Sequence, residues 1–163
     1  MRGGKVYVMR VAGIRHLAWM AAAAALLLSG CATIQRSWDQ AGVDTVARLI
    51  NDGQGQKLAA MSSTPFLVDG EIVAMKPDVA TFWDGIIKAG FKVEGATLEQ
   101  GAPLTADSYK QFADTMEVKS FFAEYVKKDA RVLELRTATA GDRILLIFRN
   151  GNTQTIYGFK GPF

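Results

Sequence analysis

A single α+β domain is the fold the sequence predicts, and three observations carry that reading. Apolar residues recur at helical spacing over 43–50 and 79–87. Two turn pairs, Asp69-Gly70 and Asn150-Gly151, stand between apolar runs, where a two-residue loop needs positive φ at both positions. Residues 132–159 then read as strand after strand with polar breaks. The expected architecture is N-terminal helices plus an antiparallel curved sheet that ends in a three-stranded meander.

Val43, Val46, Ala47, Leu49 and Ile50 form one apolar stripe, and Asp52-Gly53-Gln54-Gly55 interrupts it. A short helix through Leu58, Ala59 and Met61 leads to Pro65. Around Asp69-Gly70 the hairpin register sets Val68 opposite Glu71, Leu67 opposite Ile72 and Phe66 opposite Val73. Both faces of this hairpin are apolar, so both require cover. Pro77-Asp78 opens a helix, with Pro77 in its first turn or Asp78 as its cap. Val79, Phe82, Trp83, Ile86 and Ile87 carry it to Gly90, and Asp84 lies off the stripe, in solvent. Residues 91–98 alternate as a strand that Gly101-Ala102-Pro103 breaks. Thr105 caps a helix through Tyr109, Phe112, Ala113 and Met116, and a further helix carries Val118, Phe121, Phe122, Tyr125 and Val126. Lys127 and Lys128 suit its C-terminal end. The meander strands are 132–137, 143–149 and 153–159. With Asn150-Gly151 as a two-residue loop, Phe148 opposes Thr153, Leu146 opposes Thr155 and Ile144 opposes Tyr157.

Upstream of the domain the composition changes. Residues 1–30 carry Arg2, Lys5, Arg10 and Arg15 without an acidic residue, and an apolar run follows over 17–28. At about 12 residues that run is short of the roughly 20 a spanning helix needs, which favours a signal peptide. Translation from Met1 or from Met9 would both supply a charged n-region. The run ends at Leu28-Ser29-Gly30-Cys31, which contains the only cysteine of the chain. This stretch resembles the lipobox of bacterial lipoproteins. The resemblance implies cleavage between Gly30 and Cys31, a thioether-linked diacylglycerol on Cys31, and a further acyl chain of the palmitate kind on the new N-terminus. Two or three chains make such an anchor effectively permanent. Ala32 stands where inner-membrane lipoproteins commonly carry Asp, so the resemblance points to the outer membrane, with the domain facing the periplasm. The expected division is therefore a signal peptide at 1–30, a lipidated tether at 31–42 and the domain at 43–163. A polar tether of about 11 residues reaches less than about 40 Å even when extended.

The leader also changes the charge balance. The whole chain has 19 Lys and Arg against 16 Asp and Glu, a net charge of +3. Removing the four basic leader residues leaves 15 against 16, a net charge of −1. No nucleic-acid partner is implied. His16, the only histidine, leaves with the leader, and Cys31 is consumed by the lipid. Nucleophilic sites that need histidine, histidine-rich metal sites and disulfides are then excluded by inventory. No cofactor motif is present. A mature chain of about 130 residues buries roughly two-thirds of its unfolded surface as one domain.

The order of elements over 43–160 is similar to that of the nuclear transport factor 2-like (cystatin-like) fold, a cone of curved sheet around a helix with a pocket at its wide end. Here the helical stretch 105–128 would be an inserted layer. Enzymes of that superfamily pair an acidic base with a tyrosine, and the resemblance offers Glu71 or Asp69 with Tyr157 or Tyr109. It also implies a ligand pocket lined by Phe66, Trp83, Phe91 and Tyr157. Aromatics at such spacing are also what a plain core requires. The leading expectation is a non-enzymatic lipoprotein that binds an envelope protein or a small apolar ligand. The alternative is a small carboxylate- and tyrosine-dependent isomerase or dehydratase, and a third reading is a structural envelope component. Trp38, close to the lipids, either dips into the headgroup region or packs on the domain.

Overall fold

The computed structural model describes the backbone of residues 14–138 and 142–163, with side chains from Thr33 onward. The charged n-region and both start sites lie outside the described residues, as do the side chains of Leu28, Ser29 and Cys31. Two units are distinguished, Met1–Gln35 and Arg36–Phe163. In the first, the described part is helical from Ile14. Among the described residues no helix is long and apolar enough to cross a membrane. The second unit holds the sheet and both of its covering layers.

Helix α1 (Ile14–Asn51) enters this unit at Arg36, and the stripe Val43, Val46, Ala47, Leu49 and Ile50 is buried as its spacing requires. Residues 36–42, expected within a tether, belong to this helix instead. The reason is a set of distant partners. Asp39 is 3% exposed and accepts from Arg131 Nε at 2.9 Å. Gln40 Oε1 accepts from Leu98 N at 2.9 Å. Arg131 also donates to Gly101 O at 2.8 Å, and a Cβ at Gly101 would lie 2.3 Å from Asp39 Oδ2. Only glycine lets the carboxylate approach that closely.

A turn at Gly53 leads to α2 (Gly55–Met61) and directly into β1 (Ser62–Val68). The hairpin to β2 (Glu71–Val73) has the expected register, Phe66 with Val73, Leu67 with Ile72 and Val68 with Glu71. Its turn residues Asp69 and Gly70 take φ of 48° and 94°, as a type I′ loop demands. Helix α3 (Lys76–Lys88) has Met75 as its cap residue, with Pro77 and Asp78 in the first turn. Asp84 is half-buried against α2, where Gln56 Nε2 donates to it at 3.2 Å. The expected solvated position is thus a contact between helices.

Strand β3 (Thr97–Pro103) starts later than expected and runs through Gly101-Ala102-Pro103. Those residues pair with Leu133, Val132 and Arg131 of β4 (Arg131–Arg136). Breaker residues are tolerated here because β3 is an edge strand, where a proline leaves no ladder bond unmade. The first helix expected after it is a single 3₁₀ turn, Ser108–Gln111. The second is α4 (Met116–Glu124), capped by Thr115, whose Oγ1 accepts from Val118 N at 3.3 Å. Strands β5 (Arg143–Arg149) and β6 (Thr155–Lys160) complete the sheet in the order β2-β1-β6-β5-β4-β3.

The sheet differs from the all-antiparallel expectation. The last four strands form a four-stranded meander that starts at the far edge and works inward. Its final strand β6 lands beside β1 in the same direction, so one pair is parallel and the sheet is mixed. The β5–β6 register also differs. The loop spans 150–154, Arg149 pairs with Thr155 and Phe148 with Ile156, and Ile147 then pairs with Gly158. Tyr157 is the extra residue of a bulge. Ile156 and Phe159 therefore share one core while Tyr157 enters the other.

Those two cores lie on opposite faces of the sheet. On one, α1, α2 and α3 cover Phe66, Leu133, Leu135, Ile144, Leu146, Phe148 and Phe159. On the other, residues 109–130 cover Leu67, Val132, Leu145, Ile147 and Tyr157. The helical layer between β3 and β4 is thus present as the element order suggested, in a thinner form.

Two measurements test this packing. Trp83 is fully buried, and its indole N–H donates to Ser62 Oγ at 2.9 Å. Ser62→Ala leaves that donor unpaired and is expected to cost about 1–3 kcal/mol in denaturant unfolding. Asp39→Ala leaves the Arg131 guanidinium without its carboxylate, and a loss of about 3 kcal/mol is expected by the same assay. An unchanged midpoint would show that the Asp39–Arg131 pair does not hold residues 36–42 to the domain.

Candidate functional site

The candidate site is an open groove of about 490 Å³ on the side of the sheet that carries the smaller core. Its origin is the shortness of the covering elements. A single 3₁₀ turn and a nine-residue helix must shield Leu67, Val132, Leu145, Ile147 and Tyr157. The chain leaves β3 through Leu104, Thr105 and Ala106 and returns through Val126 and Lys128, and the space between these segments and α4 stays open. Its floor is apolar, formed by Leu104, Tyr109, Phe122 and Val126. Lys119 and Lys128 complete the wall, and the lining contains no carboxylate. The volume falls within the range of small-molecule sites.

Local bonds hold the walls in place. Ser108 Oγ accepts from Thr105 N at 2.8 Å, fixing the turn that presents Tyr109. Lys160 Nζ donates to the carbonyls of Gln111 and Phe112 at 2.8 and 2.9 Å and ties the end of this turn to β6. Phe122 packs between Phe112 and Phe121, with ring centroids 5.8 and 6.1 Å away. Lys110 and Lys119 lie 5.9 and 6.0 Å from the Tyr109 ring centre. Lys110 is engaged by Asp107 at 2.8 Å. Burial raises the Tyr109 hydroxyl above its ordinary range, and the nearby Asp114 carboxylate adds to the effect. The hydroxyl therefore remains a neutral donor at physiological pH.

The residues singled out from the sequence are distributed differently. Asp69 is exposed and structural, since its Oδ1 accepts from Gly161 N at 2.8 Å and its own N–H donates to Phe159 O at 3.0 Å. Glu71 is exposed at the other side of the hairpin turn. Tyr157 lies in the smaller core, near Arg149 and Asp129, which bond to each other at 2.8 Å. The acidic and phenolic groups expected as a pair are thus carried by different parts of the fold. Tyr109 alone joins the groove.

The pocket expected from Phe66, Trp83, Phe91 and Tyr157 does not form. Phe66, Phe82, Trp83 and Phe91 close around Phe159 with ring centroids 5.0–6.2 Å apart, while Tyr157 faces the opposite side of the sheet. The residual space beside them, between Val43, Val93 and Phe159, is about 10 Å³, at the limit for one water molecule. Among the described residues no group of three or more metal-ligating side chains is found. The groove was missed in the sequence because Tyr109, Phe122 and Val126 sit at apolar positions of the expected helices, where a full helix would bury them. The brevity of these helices leaves the groove between them uncovered.

No protein-family model, curated protein or solved structure matches this chain.

Burial also holds the Tyr157 hydroxyl above its ordinary value of 10.0. The folded state then keeps a proton that the unfolded chain has already lost. This contribution is complete below that value and is lost as pH rises from it through the raised value of the folded state. Stability against denaturant should therefore fall as pH increases above 10, and Tyr157→Phe should flatten the fall. An identical slope in the variant would show that the hydroxyl is not differentially protonated.

Proposed function

We propose that this chain is a lipoprotein of the cell envelope, anchored through acylated Cys31, whose periplasm-facing domain is a non-enzymatic binding module. Its ligand is a small apolar molecule carrying an acidic group. The single observation that carries the ligand class is the groove beside α4, which combines an apolar floor with two lysines and no carboxylate in its lining. An apolar body desolvates Leu104, Phe122 and Val126, while Lys119 or Lys128 meets an anionic end. The Tyr109 ring adds to the apolar wall, while its hydroxyl is engaged by the Asp114 carboxylate. The anchor is supported by Leu28-Ser29-Gly30-Cys31 behind its apolar run.

Anilinonaphthalene sulfonate, aromatic rings with one anionic group, is a suitable probe. The protein should bind it, with Val126→Asp and Lys119→Glu each weakening the complex roughly tenfold or more. Glu71→Gln should leave the affinity unchanged, because Glu71 lies at the exposed hairpin. Equal affinity in all variants would overturn the groove as the binding site. Native mass spectrometry of protein taken from its own host would then identify the natural ligand. For the anchor, Cys31→Ser should abolish incorporation of labelled fatty acid, and continued incorporation would overturn it.

A further inference from the structure

Trp38 and the pair Lys127-Lys128 are distant in sequence, yet the topology gathers them at one end of the sheet. Strand β3 ends at Pro103 opposite Arg131, where β4 begins, and Arg131 pairs with Phe148 near the end of β5. Arg131 holds Asp39, the neighbour of Trp38. Asn150, one residue beyond β5, donates from Nδ2 to Trp38 O at 3.0 Å. Lys127 and Lys128 enter the same end just ahead of Arg131, and both are exposed. Trp38 is 56% exposed, whereas Trp83 is fully buried. An exposed tryptophan is costly to leave in water and is at home where one side is apolar and the other wet.

The sequence bounds where Trp38 can be. Trp38 is seven positions beyond Cys31, so even a fully extended chain spans no more than about 25 Å between them. With Cys31 acylated, the indole stays within that distance of the bilayer. We propose that the acylated protein rests on its own membrane through this end of the sheet, with Trp38 in the headgroup region and Lys127 and Lys128 against anionic lipid headgroups. Indole rings favour that depth, and exposed lysines are drawn to an anionic surface. Lys128 also lines the groove, so docking brings the binding site to the lipid surface. The proposal rests on the lipid anchor described above.

The test uses the full acylated protein, reconstituted into vesicles of phosphatidylcholine and phosphatidylglycerol whose acyl chains carry bromine, a contact quencher of indole. After loss of the leader only Trp38 and Trp83 remain, so the difference between the wild type and Trp38→Phe isolates Trp38. Bromine is expected to quench most of that difference and to leave Trp83 untouched. The double variant Lys127→Glu, Lys128→Glu should lose much of the quenching while floating with the vesicles as before. The buried emission of Trp83 reports folding in every variant. A protein that floats with the vesicles while Trp38 stays unquenched overturns the docking and leaves the anchor standing. A protein that neither floats nor carries an acyl chain overturns the anchor and the docking with it.

Discussion

Five consecutive buried residues in β5, from Ile144 to Phe148, impose the constraint that shapes the rest of the domain. Side chains of a strand alternate between faces, so such a run demands apolar cover on both sides of the sheet. One side receives three helices and the aromatic cluster around Phe159. The other receives only what the chain makes between β3 and β4. Position in the sheet follows from the same demand. Strand β5 lies between β4 and β6, and the edges fall to β3 and to the three-residue β2, whose sequences bury less.

The asymmetry between the two layers accounts for the groove. Helices α1 to α3 reach the sheet with Trp83, Phe82 and the stripe of α1, and leave room there for little more than a water molecule. The 3₁₀ turn and α4 bring fewer apolar side chains, and the connections on either side of them border a groove that stays open. A site made in this way needs no special motif. It arises where a sheet face is covered by too few residues, and its polar character is set by the lysines that happen to border it. The buried pair of Asp39 and Arg131 then joins the start of the domain to the strand end from which these connections depart.

The parts of the fold that were legible in the sequence are those in which partners are near neighbours. The Asp69-Gly70 hairpin has the register its turn chemistry requires, because a two-residue loop leaves the flanking strands no freedom. The second turn pair, Asn150-Gly151, misled for the converse reason. Its loop is longer, and the bulge at Tyr157 shifts the pairing so that side chains exchange faces. Gly101-Ala102-Pro103 read as a break because local propensity does not know which strand is an edge. Arg36, Asp39 and Gln40 read as a solvated tether because Leu98 and Arg131, which engage them, lie about 60 to 90 residues away.

The sequence by itself determined the α+β class, the helix stripes, the first hairpin and the chemical inventory, in which His16 and Cys31 are the only residues of their kinds. These depend on composition and on interactions within a few residues. Tertiary structure alone decided the mixed sheet, the division of the aromatics between two cores, the helical course of residues 36–42 and the groove beside α4. Each of these is a competition among distant segments for the same two faces of one sheet. Its outcome depends on how much area each segment can cover, and that is a property no local pattern contains.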